Sequence, residues 1–312
     1  AMGGDFHFYQ VDCGKLSGLS MLGYGSLSGS YAGVWDTRGP SFHIDSKVER
    51  LNIHQGNVKD MKVAMTYETG KLDVMATVEN EQMQGGVLLA YDLSDSLNFL
   101  STRGQLRIDE LAAFGLDIKG GQEALETSFE IIHAGQENKS FTNLSLTDFK
   151  YTCDTATFTI DKISMEDNQK GDHNTTTLKS DVVDLFISGN FRELRPAPFV
   201  FRLMQNYLPA YSVHQPKKTR KYPKRKEPEK FDFQYTVQVK DAGRILQVLY
   251  PDLYIASGTL ITSDYRTETG QLRLRLTTDS IGYEDISLLH SKIDLVGDMQ
   301  RLDMKYTTDR LI

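Results

Sequence analysis

"FDFQYTVQV", residues 231–239, decides the fold class. Phe231, Phe233, Tyr235, Val237 and Val239 alternate with polar residues, the period of two of a half-buried β-strand. "QLRLRLTT" at 271–278 repeats the pattern with Leu272, Leu274 and Leu276, and "KLDVMATV" at 71–78 with Leu72, Val74, Ala76 and Val78. In "ATFTIDKISM", 156–165, Phe158 and Ile160 keep one phase while Ile163 and Met165 take the other. Burying such a side chain is worth ~1.5–3 kcal/mol, so several on one face hold a strand in register.

Turn signals separate these runs. "ETGK" at 68–71, "HAGQENKS" at 133–140, "NQKGDHN" at 168–174 and "ETGQ" at 268–271 predict hairpins between successive antiparallel strands. The fold class expected is mostly β, a long antiparallel meander with two or three short helices. Two helices stand out. "PAPFVFRLMQNYLPAY", 196–211, carries Val200, Leu203, Met204, Tyr207 and Leu208 at helical spacing, with Pro209 as a stop. "DAGRILQVLYPDLY" predicts a helix over 241–250, with Asp241 as its N-cap and Pro251 beyond its end. "DELAAFG", 109–115, predicts a shorter third one.

The expected organisation is a cloning remnant at 1–4, a first β region over 5–190, a helix and basic loop over 191–230, and a second β region over 231–312. The opening "AMGGDF" and the ending "TTDRLI" read as the bounds of an excised fragment.

Charge excludes some functions. "KKTRKYPKRKEPEK", 217–230, carries +6 of a net charge of −7, which leaves −13 on the remainder. A nucleic-acid binder spreads basic charge over a face, so this proline-punctuated stretch reads as an exposed loop and no nucleic-acid partner is expected. The longest charge-free run, Leu16 to Trp35, is half Ser and Gly and cannot span a membrane. Its "GYGSLSGSYAG" is not a phosphate-binding fingerprint and reads as kinked strand. Cys13 and Cys153 have no metal-binding spacing and are expected as two thiols on separate strands, with a single bridge between them as the alternative. The seven histidines form no ligand pair, and no nucleophile elbow occurs. No catalytic residue, metal or cofactor is expected.

"SGNF" at 188–191, the "YLPAY" turn at 207–211, "QVKDAGRILQVLYPDLYIASGTLI" at 238–261 and "GQLRIDELAAFGLDIKG" at 104–120 carry a family resemblance. Over about residues 40–312 the chain resembles the middle region of the TamB translocation and assembly module family, within the AsmA-like group of Gram-negative envelopes. The resemblance implies a sheet curled into a taco-like groove or an elongated solenoid-like unit. It implies phospholipid transfer or outer-membrane protein assembly, a periplasmic location, and an inner-membrane anchor in a segment absent here. Phospholipid acyl chains are the implied partner, with outer-membrane assembly proteins contacted through regions outside this fragment. The groove candidates are Leu72, Val74, Phe231, Phe233, Val237, Leu272 and Leu274. The alternative function is an extracellular β-rich binding module, an adhesin or glycan binder.

Overall fold

The computed structural model describes residues 1–18, 20–37, 39–93, 98–116, 118–136, 139–154, 156–190, 232–266, 269–298 and 301–312. Within them the chain is mostly β. The first strands are β1 (Met2–Asp12), β2 (Leu22–Asp36), β3 (Gly39–Ile53), β4 (Gly56–Glu68), β5 (Lys71–Glu79), β6 (Met83–Asp92) and β7 (Asn98–Ile108). Next come β8 (Glu123–Gln136), β9 (Lys139–Cys153), β10 (Ala156–Lys170), β11 (His173–Ser180), β12 (Val183–Gly189) and β13 (Asp232–Val239). The last are β14 (Leu253–Ile255), β15 (Leu260–Arg266), β16 (Gln271–Tyr283), β17 (Ile286–Gly297), β18 (Leu302–Thr307) and β19 (Arg310–Leu311). Helix α1 (Cys13–Ser17), a 3₁₀ turn (Leu111–Phe114) and helix α2 (Gly243–Leu249) interrupt them.

Each strand from β1 to β13 pairs antiparallel with the next. β15 lies beside β13, and β16, β17 and β18 continue the meander. β14 and β19 are short additions against β16 and β17. Seventeen strands thus stand side by side in one sheet. At ~4.8 Å per strand it extends about 77 Å. Among the described residues β1 pairs only with β2 and β18 only with β17, so the sheet is open. The β12–β13 pairing places the expected first and second β regions in that same sheet. Residues 2–4, read above as a cloning remnant, lie in β1 opposite Gly33, Ala32 and Tyr31.

The hairpins follow the turn chemistry. Glu68 pairs with Lys71 around Thr69 (φ 51°) and Gly70 (φ 83°), the left-handed pair that a tight hairpin requires. Lys170 pairs with His173 around Gly171 (φ 63°). "HAGQENKS" is mostly strand: Gln136 pairs with Lys139, so only 137–138 remain between the strands.

The phase break at Ile160/Ile163 has a backbone cause. The β8–β9 register shifts between Glu126 and Ser128, and Asp148 in β9 takes φ 53°. This is a β-bulge. Across it, Phe158, Ile160, Phe149 and Ile163 all join one apolar cluster, so both phases face the same side.

Cys13, expected on a strand, opens α1 instead, where the Asp12 carboxylate accepts from Lys15 N at 3.0 Å. Among the described residues Cys13 and Cys153 form no disulfide. The expected Asp241 cap is not made either. Ala242 is the N-cap of α2, and the helix is shorter than 241–250. The Asp241 N–H donates to Val182 O and its carboxylate pairs with Arg244 at 3.4 Å, so both groups are engaged elsewhere. The third helix is a single 3₁₀ turn, ended by Gly115 at φ 75°. The predicted helix at 196–209 and the basic stretch at 217–230 lie outside the described residues.

The core sits at one end of the strands. Leu111, Ala113 and Phe114 of the 3₁₀ turn and Val248 of α2 pack with Val58, Ile108, Tyr151, Cys153, Phe158, Ile160 and Val182. Arg244 ties α2 to the sheet, pairing with Asp181 at 2.7 Å and donating to Thr159 O at 3.1 Å.

Candidate functional site

Directly paired residues in an antiparallel sheet share a face. Following the pairs from Val74 traces one row across the molecule. Toward the first edge it runs Met65, Ile44, Tyr31 and Gly4. In the other direction it runs Leu89, Thr102, Ile131, Leu144, Met165 and Leu178. It continues through Leu185, Val237, Ile261, Leu276, Ile293 and Tyr306. Gly4 has no side chain and Thr102 is the only other non-apolar member. Every residue of the row from Ile44 to Ile293 is half-buried, neither sealed nor bare.

The predicted groove residues fall on this face. Val74 and Val237 are in the row itself. Leu72 and Leu274 belong to the adjacent row, reached through Tyr91, Leu100 and His133 on one side and Ser263 and Tyr235 on the other. Phe233 and Leu272 lie one row further, joined through Tyr265, whose ring is 5.7 Å from that of Phe233. Phe231 lies outside the described residues. As groove residues the sequence named Val74 and Val237 of the central row, although Met165 and Leu276 stand in runs already read as strands and Leu144 in the alternating "LSL".

The Leu72 row changes character midway. Met2, Phe42, Tyr67, Tyr91 and Leu100 give way to His133, Thr142, Asp167 and Thr176. Ile187, Tyr235, Leu274 and Leu295 then restore the apolar character of the row, with Ser263 among them; Ile187 and Ser263 are buried.

Gly104 and Gly29 are among the glycines on the apolar face that meet the neighbouring strand closely. A Cβ at Gly104 would stand 2.3 Å from Gly86 O, and one at Gly29 would stand 2.2 Å from Asp45 O. Each is covered by the ring of its cross-strand partner, Phe129 and Phe6. Gly86 points to the other face, where the nearest atom to such a Cβ is 3.7 Å away.

That other face is solvated and charged. Lys47–Asp60 (2.7 Å) and Arg301–Asp303 (2.7 Å) lie exposed on it, and Arg275–Asp294 (2.6 Å) lies there with its carboxylate half-buried.

At the packed end, the Glu123 carboxylate is 2% exposed and accepts four hydrogen bonds. They come from the N–H groups of Ile118 (2.9 Å), Lys119 (2.5 Å) and Gly120 (3.0 Å) and from the Tyr151 hydroxyl (2.8 Å). Burial pushes this carboxyl up, but the Ile118 and Lys119 N–H groups with the Tyr151 hydroxyl hold it below the usual glutamate value. Burial, with the carboxylate beside it, pushes the Tyr151 hydroxyl well above its usual value. Lys119 Nζ also donates to Val248 O, so the clamped loop is tied to α2.

Among the described residues no three His, Cys, Asp or Glu side chains gather to hold a metal ion. No described helix is long and apolar enough to cross a membrane. No protein-family model, curated protein or solved structure matches this chain.

Proposed function

We propose that this chain is a non-catalytic, groove-forming segment of an envelope-spanning protein and that its apolar face carries phospholipid acyl chains. The observation behind this reading is the apolar row across seventeen strands, half-buried from Ile44 to Ile293. A closed β-sandwich would bury such a row under a second layer. A contiguous apolar strip of this extent is a binding surface rather than ordinary exposed area. The close approaches at Gly29 and Gly104 support curling toward that face, the taco-like form that the TamB resemblance implies. The charged opposite face suits contact with water. In this reading the chain works in the periplasm, and contacts to outer-membrane assembly proteins fall to other regions.

Photo-crosslinking in cells against labelled phospholipid tests it. Probes at Leu144, Val237 and Leu274 should label lipid, and probes at Arg103, Gln238 and Arg273 on the other face should not. Inward probes that capture only strands of the same chain would make the face a closed core and put the binding-module reading ahead.

A further inference from the structure

We infer that His133, Thr142, Asp167 and Thr176 form a headgroup notch in the apolar face, selective for phospholipids bearing a primary amine. This rests on the acyl-chain reading above and goes beyond it by naming the lipid class.

The four residues come from four consecutive strands, β8 to β11, and pair directly in register. They lie in the row next to Ile131, Leu144, Met165 and Leu178. A lipid whose chains rest on those residues has its polar end within one row of the notch. The Thr176 hydroxyl donates to Asp167 Oδ1 at 2.5 Å, and His133 Nδ1 bonds Thr142 Oγ1 at 2.8 Å. Thr176 is 1% exposed and holds the carboxylate from the neighbouring strand, whereas His133, Thr142 and Asp167 remain half-buried and within reach of a ligand. None of the ion pairs found among the described residues involves Asp167. An acidic side chain on an apolar face is costly unless a cation answers it.

An ammonium group supplies that cation and three N–H donors, for which Asp167 Oδ2 and the hydroxyl oxygen of Thr142 are acceptors. A quaternary ammonium keeps the charge but has no N–H to give. An anionic glycerol headgroup is repelled by the carboxylate.

The purified protein is incubated with equimolar phosphatidylethanolamine, phosphatidylcholine and phosphatidylglycerol of identical acyl chains, and retained lipid is read by native mass spectrometry. Phosphatidylethanolamine should exceed each of the others by about tenfold, the scale of one charge-assisted hydrogen bond. Asp167→Asn should bring the ratios near one while total lipid stays unchanged. A wild-type protein that retains lipid without preference overturns the notch and leaves the acyl-chain reading standing, as does a preference that survives in Asp167→Asn. Wild-type protein that retains no lipid at all overturns the acyl-chain reading itself. Displacement of bound lipid by free phosphoethanolamine would make the notch a soluble-amine site and overturn the headgroup assignment. Should Asp167→Asn fail to fold by circular dichroism, the wild-type competition together with Thr176→Val decides the matter.

Discussion

The Phe129 ring covers Gly104 across the β7–β8 pair, where a Cβ on the glycine would stand 2.9 Å from the ring and 2.3 Å from Gly86 O. The glycine is therefore required by the approach of the neighbouring backbone, and the ring fills the space that its missing side chain leaves. Gly104→Val should destabilise by about 1–3 kcal/mol, the usual cost of overpacking. Gly86→Ala, on the open face of the next strand, should change the denaturation midpoint little. Equal effects from the two substitutions would remove the argument for a bend at Gly104.

The Glu123 clamp gives a pH-dependent prediction. Its carboxyl is held below the ordinary value of 4.5, so its stabilisation is present above that value and is lost as pH falls through the folded-state value. Glu123→Gln turns a donor toward backbone N–H groups and should cost roughly 2 kcal/mol at neutral pH. Urea unfolding across pH should find the gap from wild type constant above pH 4.5 and shrinking below it.

The bulge at Asp148 makes its own demand. Its φ of 53° is tolerated by Asn, Asp and Gly and penalised for a β-branched residue. Asp148→Gly should be close to neutral, and Asp148→Val should cost about 1–2 kcal/mol. A neutral valine would mean that the strand runs straight through this point.

The two faces should respond unequally to charge. Leu144→Asp places a carboxylate in the central row and should cost about 1–3 kcal/mol and abolish lipid retention. Ser145→Asp, one residue along and on the opposite face, should do neither. Thermal unfolding with lipid extraction separates the two outcomes.

Much of this was legible in the chain. Alternation at 72–78, 233–239 and 272–276 is imposed by the pleat, a property of each strand alone, so the sequence by itself determined that these are strands with one apolar face. The glycines in "ETGK" and "NQKGDHN" fixed hairpins in the same local way. Register is different in kind. It depends on how many residues each turn consumes and where a bulge shifts the pairing, as at Asp148, which reunites Ile160 with Ile163. Only the tertiary structure therefore decided that Val74 and Val237 lie on one row, and that Tyr265 links Phe233 to Leu272. It also brought His133, Thr142, Asp167 and Thr176 together. These four have no motif spacing because they belong to four separate strands. Their proximity is made by hydrogen bonds between strands, which no local pattern encodes.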